Sequence, residues 1–133
     1  MSSDTAGSIR FEAAVPQFTV PDVVRTAEYY RDVLGFRISG YWKTPPVFAI
    51  VVRDRVELFF NRADRSPVPT DRAEGAYDAY LHVAGIDALA AELRSRGAEI
   101  LEGPVTREYG QIELVIRDCN GLVLAFGEET RQP

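Results

Sequence analysis

The sequence predicts an α+β domain built from two β-α-β-β-β modules. Three observations predict it. A strand–helix opening occurs twice: Val20 to Gly35 spans 15 positions and Val83 to Gly97 spans 14, each enclosing a helical stripe. Each opening is followed by three segments alternating apolar and polar residues, the period of a strand. Glycines and Asp- or Asn-containing turns punctuate the ends of these segments. At 133 residues the chain is expected to form a single domain, with module one over 12–61, a linker over 62–75 and module two over 76–128.

The first strand is read over 15–20, with Pro16, Phe18 and Val20 on one face; Pro16 lacks a ladder N–H and so marks an edge or the start of the strand. Asp22 is the expected N-cap of a helix whose apolar stripe is Val23, Ala27, Tyr30 and Leu34, and Gly35 ends it. Strands follow near 36–43, 46–53 and 55–61, the last two joined by a hairpin at Asp54. Arg62 to Gly75 is rich in Pro, Asp and Arg and has no period, as a linker would be. A strand over 77–83 restarts the pattern. Leu89, Ala90 and Leu93 form the second helical stripe, and Gly97 stops it. Strands near 98–102, 111–117 and 122–127 complete module two, with Asp118-Cys119-Asn120-Gly121 as the final turn.

Strict alternation sorts the strand residues onto two faces. Toward the helices fall Pro16, Phe18, Val56, Leu58, Phe60, Tyr77, Ala79, Leu81, Ile112, Leu114, Leu124 and Phe126. The opposite face carries Gln17, Thr19, Glu57, Phe59, Asp78, Tyr80, His82, Glu113 and Ala125. A merely solvated sheet would carry long Lys, Glu and Arg side chains there. A mixture of aromatics, short polar groups and a few acids suits a pocket with apolar walls and a few orienting groups.

Composition narrows the function classes. The net charge of −5, without a basic cluster, gives nucleic acid no counterions to release, so no nucleic-acid partner is expected. No apolar run approaches the ~20 residues of a membrane helix. The polar stretch Met1 to Ser8 lacks a signal-like core, and the single Cys119 allows no intrachain disulfide, so a cytoplasmic protein without a membrane partner is expected. There is no G-x-S-x-G elbow and no glycine-rich phosphate loop, and no catalytic residue is assigned. Cys119 lies in a turn with nothing to lower its pKa and reads as an unreactive thiol.

The segment Ala14-Val15-Pro16-Gln17-Phe18-Thr19-Val20-Pro21-Asp22, followed by Ala27-Glu28-Tyr29-Tyr30-Arg31-Asp32-Val33-Leu34-Gly35-Phe36, resembles the opening module of the vicinal oxygen chelate superfamily. This is the glyoxalase, bleomycin-resistance and extradiol-dioxygenase group. Asp118-Cys119-Asn120-Gly121-Leu122-Val123-Leu124 resembles its closing turn and last strand, so the likeness runs from about 12 to 128. The resemblance implies the paired-module fold, with mixed sheets that curl around a cup, and four metal-ligand positions, which here become Val15, Glu57, Asp78 and Ala125. Two of these carry no donor. A shift of two would replace Val15 by Gln17, nothing replaces Ala125, and His82 is the only imidazole.

The resemblance therefore implies a relative with no metal and no cofactor, nearest in character to the bleomycin-resistance branch. Such a protein would be a homodimer that sequesters a drug-sized cationic or aromatic small molecule. The candidate ligand-binding residues are Trp42, Glu57, Phe59, Asp78, Tyr80, His82, Tyr109 and Glu113. The three carboxylates would give the cup a negative potential, and Trp42, Phe59, Tyr80 and Tyr109 would offer flat surfaces for stacking or cation–π contact. Competing readings are a metal-dependent lyase or dioxygenase, a metal-free isomerase with Glu57 or Asp78 as base, and a structural module with a vestigial cup.

Overall fold

The computed structural model describes residues 7–64, 72–73 and 75–130. The elements run β1 (Gln17–Val20), α1 (Val23–Asp32), β2 (Arg37–Trp42), β3 (Phe48–Arg53), β4 (Val56–Arg62), β5 (Ala79–His82), α2 (Ile86–Ser95), β6 (Glu99–Thr106), β7 (Gln111–Arg117) and β8 (Val123–Glu129). They form two four-stranded sheets of matching topology, β1-β4-β3-β2 and β5-β8-β7-β6. In each sheet the first strand lies parallel to the fourth and the remaining pairs are antiparallel. The paired-module architecture expected from the repeat is the one observed, and the sheets do not close into a barrel. Most of the sequence-predicted linker, 65–71 and 74, lies outside the described residues.

Local chemistry explains the two helices. Asp22 is extended and its carboxylate accepts the Arg25 N–H at 3.0 Å, satisfying one of the donors a helix start leaves unpaired. Val23, Ala27 and Tyr30 are buried. After α1, Gly35 takes φ 77°, which a side chain would resist, and the Phe36 N–H returns to the Tyr30 carbonyl at 2.9 Å. The second helix is capped differently. Gly85 has no side chain to offer, and Glu128 on β8 accepts the Ile86 N–H at 2.9 Å instead.

The apolar faces of both sheets meet both helices in one continuous core that includes Val51, Leu58, Phe60, Leu81, Leu93, Leu114 and Leu124. Each such side chain contributes at most about 1.5–3 kcal/mol on removal from water. The modules are also joined by a reciprocal pair of polar clasps. From the β3–β4 hairpin, Arg53 makes a two-pronged bond with Glu92 on α2, at 2.9 and 3.0 Å. From the β7–β8 turn, Asp118 reaches α1: its Oδ2 accepts the Tyr30 hydroxyl at 2.6 Å, and Asn120 Nδ2 donates to Thr26 Oγ1 at 2.9 Å. A Cβ at Gly35 would lie 2.5 Å from Arg53 Nη1, so that glycine also makes room for the first clasp. With their helix sides buried in a common core, the two sheets present their other faces outward.

Three local expectations are corrected. The first strand begins at Gln17 rather than Val15, and the Pro16 carbonyl still accepts the Phe59 N–H at 3.0 Å. The sixth strand is longer than the 98–102 predicted, because its pairing continues past two register shifts, at Leu101 and at Gly103-Pro104, that hide the alternation. Tyr77 precedes β5 and does not obey its alternation: its hydroxyl reaches Glu113 on the outer face at 3.3 Å, not the helix side.

Candidate functional site

On module two the outer face is built around Glu113, on β7, which is 1% exposed. Its Oε1 accepts Arg107 Nε at 3.0 Å and the Tyr77 hydroxyl at 3.3 Å; its Oε2 accepts the Tyr80 and Tyr109 hydroxyls, both at 2.8 Å. Arg107 in turn grips Glu102 with Nη1 at 3.2 Å and Nη2 at 2.7 Å. Burial alone would raise the Glu113 carboxyl, but the four donors outweigh it and hold the group below the usual range. Burial, and then the bond to this carboxylate, push the Tyr80 hydroxyl well up; the same bond is the largest cause of the rise at Tyr109. Tyr80 reaches β7 by lying across Gly127 of β8, where a Cβ would collide with its hydroxyl and ring.

Asp78 lies just before β5. Its Oδ2 accepts the Val123 N–H at 2.8 Å and stands 2.8 Å from Arg72 Nη2. His82, at the exposed end of β5, sets its ring 5.2 Å from that of Tyr80.

On module one the outer face is apolar and aromatic. Phe59 packs against Phe48 at 5.2 Å between ring centroids, with Ile50 opposite Phe59 in the ladder. Glu57 is half-buried on the same face and makes no hydrogen bond or ion pair among the described residues. Trp42 is 60% exposed at the end of β2, opposite Phe48, and the Lys43 ammonium sits 4.8 Å over its ring. One face of the indole is thus already covered by a cation of the chain itself.

The eight candidates therefore fall into two groups. Asp78, Tyr80, His82, Tyr109 and Glu113 share module two; Trp42, Glu57 and Phe59 share module one. Among the described residues no hydrogen bond or ring contact joins the groups. The expectation of three carboxylates acting together as a negative potential is corrected: Glu113 is saturated by four donors and Asp78 is held by Arg72, which leaves Glu57. Sequence reasoning missed Arg107, Arg72, Tyr77 and Gly127 as parts of this face. The first two carry no period that would mark them, and Gly127 was visible only as the same-face neighbour of Ala125.

The four positions implied as metal ligands do not fit a metal. Val15 and Ala125 have no donor atoms, Ala125 is fully buried, and Asp78 Oδ2 already accepts a backbone N–H and lies 2.8 Å from the Arg72 guanidinium. Among the described residues no three His, Cys, Asp or Glu side chains converge. Cys119 is half-buried, and burial is the first cause that pushes its thiol up to about 11, in keeping with an unreactive group.

Two β-α-β-β-β halves with helix-buried inner faces and aromatic outer faces define a class of cup-forming proteins. The chain belongs to the Glyoxalase/Bleomycin resistance protein/Dioxygenase superfamily, whose pattern it matches over residues 13–126. Among solved structures it is similar to TioX from Micromonospora sp. ML1 (TM-score 0.72, 16% identity, covering 90% of this chain and 99% of that one). It is also similar to a glyoxalase-related enzyme from Clostridium phytofermentans (TM-score 0.70, 17% identity, covering 94% and 99%). A third is the bleomycin-binding protein from bleomycin-producing Streptomyces verticillus, in complex with copper(II)-bleomycin (TM-score 0.66, 22% identity, covering 94% and 100%). At these identities the likeness is one of fold. No curated protein matches the sequence significantly. No described helix is long and apolar enough to cross a membrane.

Proposed function

We propose that the chain is a metal-free binding protein that sequesters an aromatic, cationic small molecule against its outer sheet faces, acting as a cytoplasmic homodimer. One observation carries the reading: Glu57 stands without a partner among the described residues on a face of Phe48, Ile50 and Phe59. A half-buried carboxylate beside flat apolar walls suits a cation that also stacks. The bleomycin-binding neighbour supports a small-molecule ligand for this fold. The homodimer is supported by two outward faces that no layer covers among the described residues and by Ile9 and Phe11, 86% and 95% exposed ahead of β1; a second copy facing the first would cover them. A role as a lyase or dioxygenase has less support, since the donor set for a metal is broken at Val15 and Ala125.

The test is calorimetry on matched cationic and neutral aromatic ligands with wild type and Glu57→Gln, and light scattering for the dimer. With one free carboxylate, the cation should bind about ten-fold better than its neutral match, and the substitution should abolish that difference. Equal affinities for both ligands, or a preference that survives Glu57→Gln, would sink this account.

A further inference from the structure

Arg72 projects onto the outer face of module two beside a cavity of about 640 Å³, whose other walls include Tyr77, Leu101, Arg107, Val115 and Val123. Its side chain is 18% exposed. Although Nη2 lies 2.8 Å from Asp78 Oδ2, the two are not aligned as donor and acceptor: Nη1 and Nη2 are both buried without a hydrogen-bond partner among the described residues. The nearby carboxylates already accept other donors. Asp78 Oδ2 takes the Val123 N–H, Glu102 is gripped by Arg107, and Glu113 takes four other donors. A guanidinium offers its donors as a planar fork suited to two oxygens at once, and buried donors in folded proteins are nearly always matched. The fork is in place, and among the described residues no acceptor is aligned to it.

We infer that this face seats the oxyanion of a small apolar acid on Arg72, with the hydrocarbon part of the acid against Val115, Val123 and the half-exposed Leu101. The inference rests on the reading of the outer faces as ligand surfaces, and it adds an anion-seating end on module two to the cation-seating Glu57 on module one. Asp78 offsets the charge of Arg72, so recognition depends on directed N–H bonds more than on net attraction.

The experiment is calorimetry at pH 7 with 4-phenylbutyrate, phenyl phosphate and the neutral 4-phenylbutyramide, on wild type, Arg72→Gln, Arg72→Lys and Asp78→Asn. At least one acid should bind about ten- to a hundred-fold more tightly than the amide. Arg72→Gln should remove that preference and Arg72→Lys should keep part of it; the tighter acid identifies carboxylate or phosphate as the oxyanion. Acids that bind no better than the amide would overturn the inference. So would equal falls in melting temperature for Arg72→Gln and Asp78→Asn without any acid preference, the signature of a latch that only ties down the chain. If cations bind through Glu57 while acids ignore Arg72, this inference alone falls. If no probe of any charge binds, the binding reading falls with it.

Discussion

In Glu113→Gln one carboxylate oxygen becomes an amide NH2 at almost unchanged volume, so the response reports charge and hydrogen bonding rather than packing. The least costly arrangement keeps the amide oxygen toward Arg107 and turns the NH2 toward Tyr80 and Tyr109, whose hydroxyls can rotate to accept. Hydrogen bonds to a charged group are worth about 1.5–3 kcal/mol and neutral ones about 1. Downgrading the two 2.8 Å tyrosine bonds and weakening the guanidinium bond therefore costs about 2–3 kcal/mol. For a chain of this size that lowers the melting temperature by roughly 8–12 °C. The pH dependence supplies a second arm. The folded-state carboxyl is held below its ordinary 4.5, so its contribution is fully present above that value and is lost as pH falls through the folded value. The gap between wild type and variant, followed by circular dichroism melts from pH 7 down to pH 3, should shrink as the pH drops below 4.5. A variant melting within about 2 °C of wild type at pH 7, or a gap independent of pH, would refute the view of Glu113 as an ionised hub.

Gly127→Ala should drive Tyr80 off the sheet and cost about 1–3 kcal/mol; in ultraviolet titration the hydroxyl that now resists ionisation should move back toward 10. Tyr30→Phe should cost about 1.5–3 kcal/mol in urea unfolding by taking a donor from buried Asp118. Burial raises the folded Asp118 pKa and loss of the tyrosine raises it further, so this deficit too should widen as pH climbs through the folded value. Asp22→Ala should lower the urea midpoint at unchanged slope, by about 1 kcal/mol for a lost N-cap.

The repeat was legible because it is local. Asp22 announces a helix start, Gly35 and Gly97 announce stops, and alternation carries Leu58, Phe60, Leu114 and Phe126 to the helix side, where all four are buried. Alternation failed where the backbone leaves the ladder, at Gly103-Pro104 and at Tyr77. The site was harder to read because its chemistry depends on pairings across distant strands. Sequence placed Glu113 on the outer face correctly, but a carboxylate is a free charge or a saturated hub according to which donors fold onto it. The guanidinium groups that face Asp78 and Glu113, those of Arg72 and Arg107, come from segments without a strand period of their own. Glu57 meets no donor among the described residues: its strand neighbours, Val56 and Leu58, are apolar and its ladder partner is Val52.

The two clasps have a consequence for how the molecule can be divided. Each helix is held by a hairpin turn from the opposite half, Glu92 by Arg53 and Tyr30 by Asp118, and neither bond depends on the peptide that links the halves in sequence. A chain severed between β4 and β5 would yield two fragments that each carry the grip the other lacks, and they should reassemble by complementation. Two intact chains could likewise trade halves and recover every contact. In a chain whose two halves share one topology, such interchangeability would let modules be exchanged between partners while the buried core stays the same.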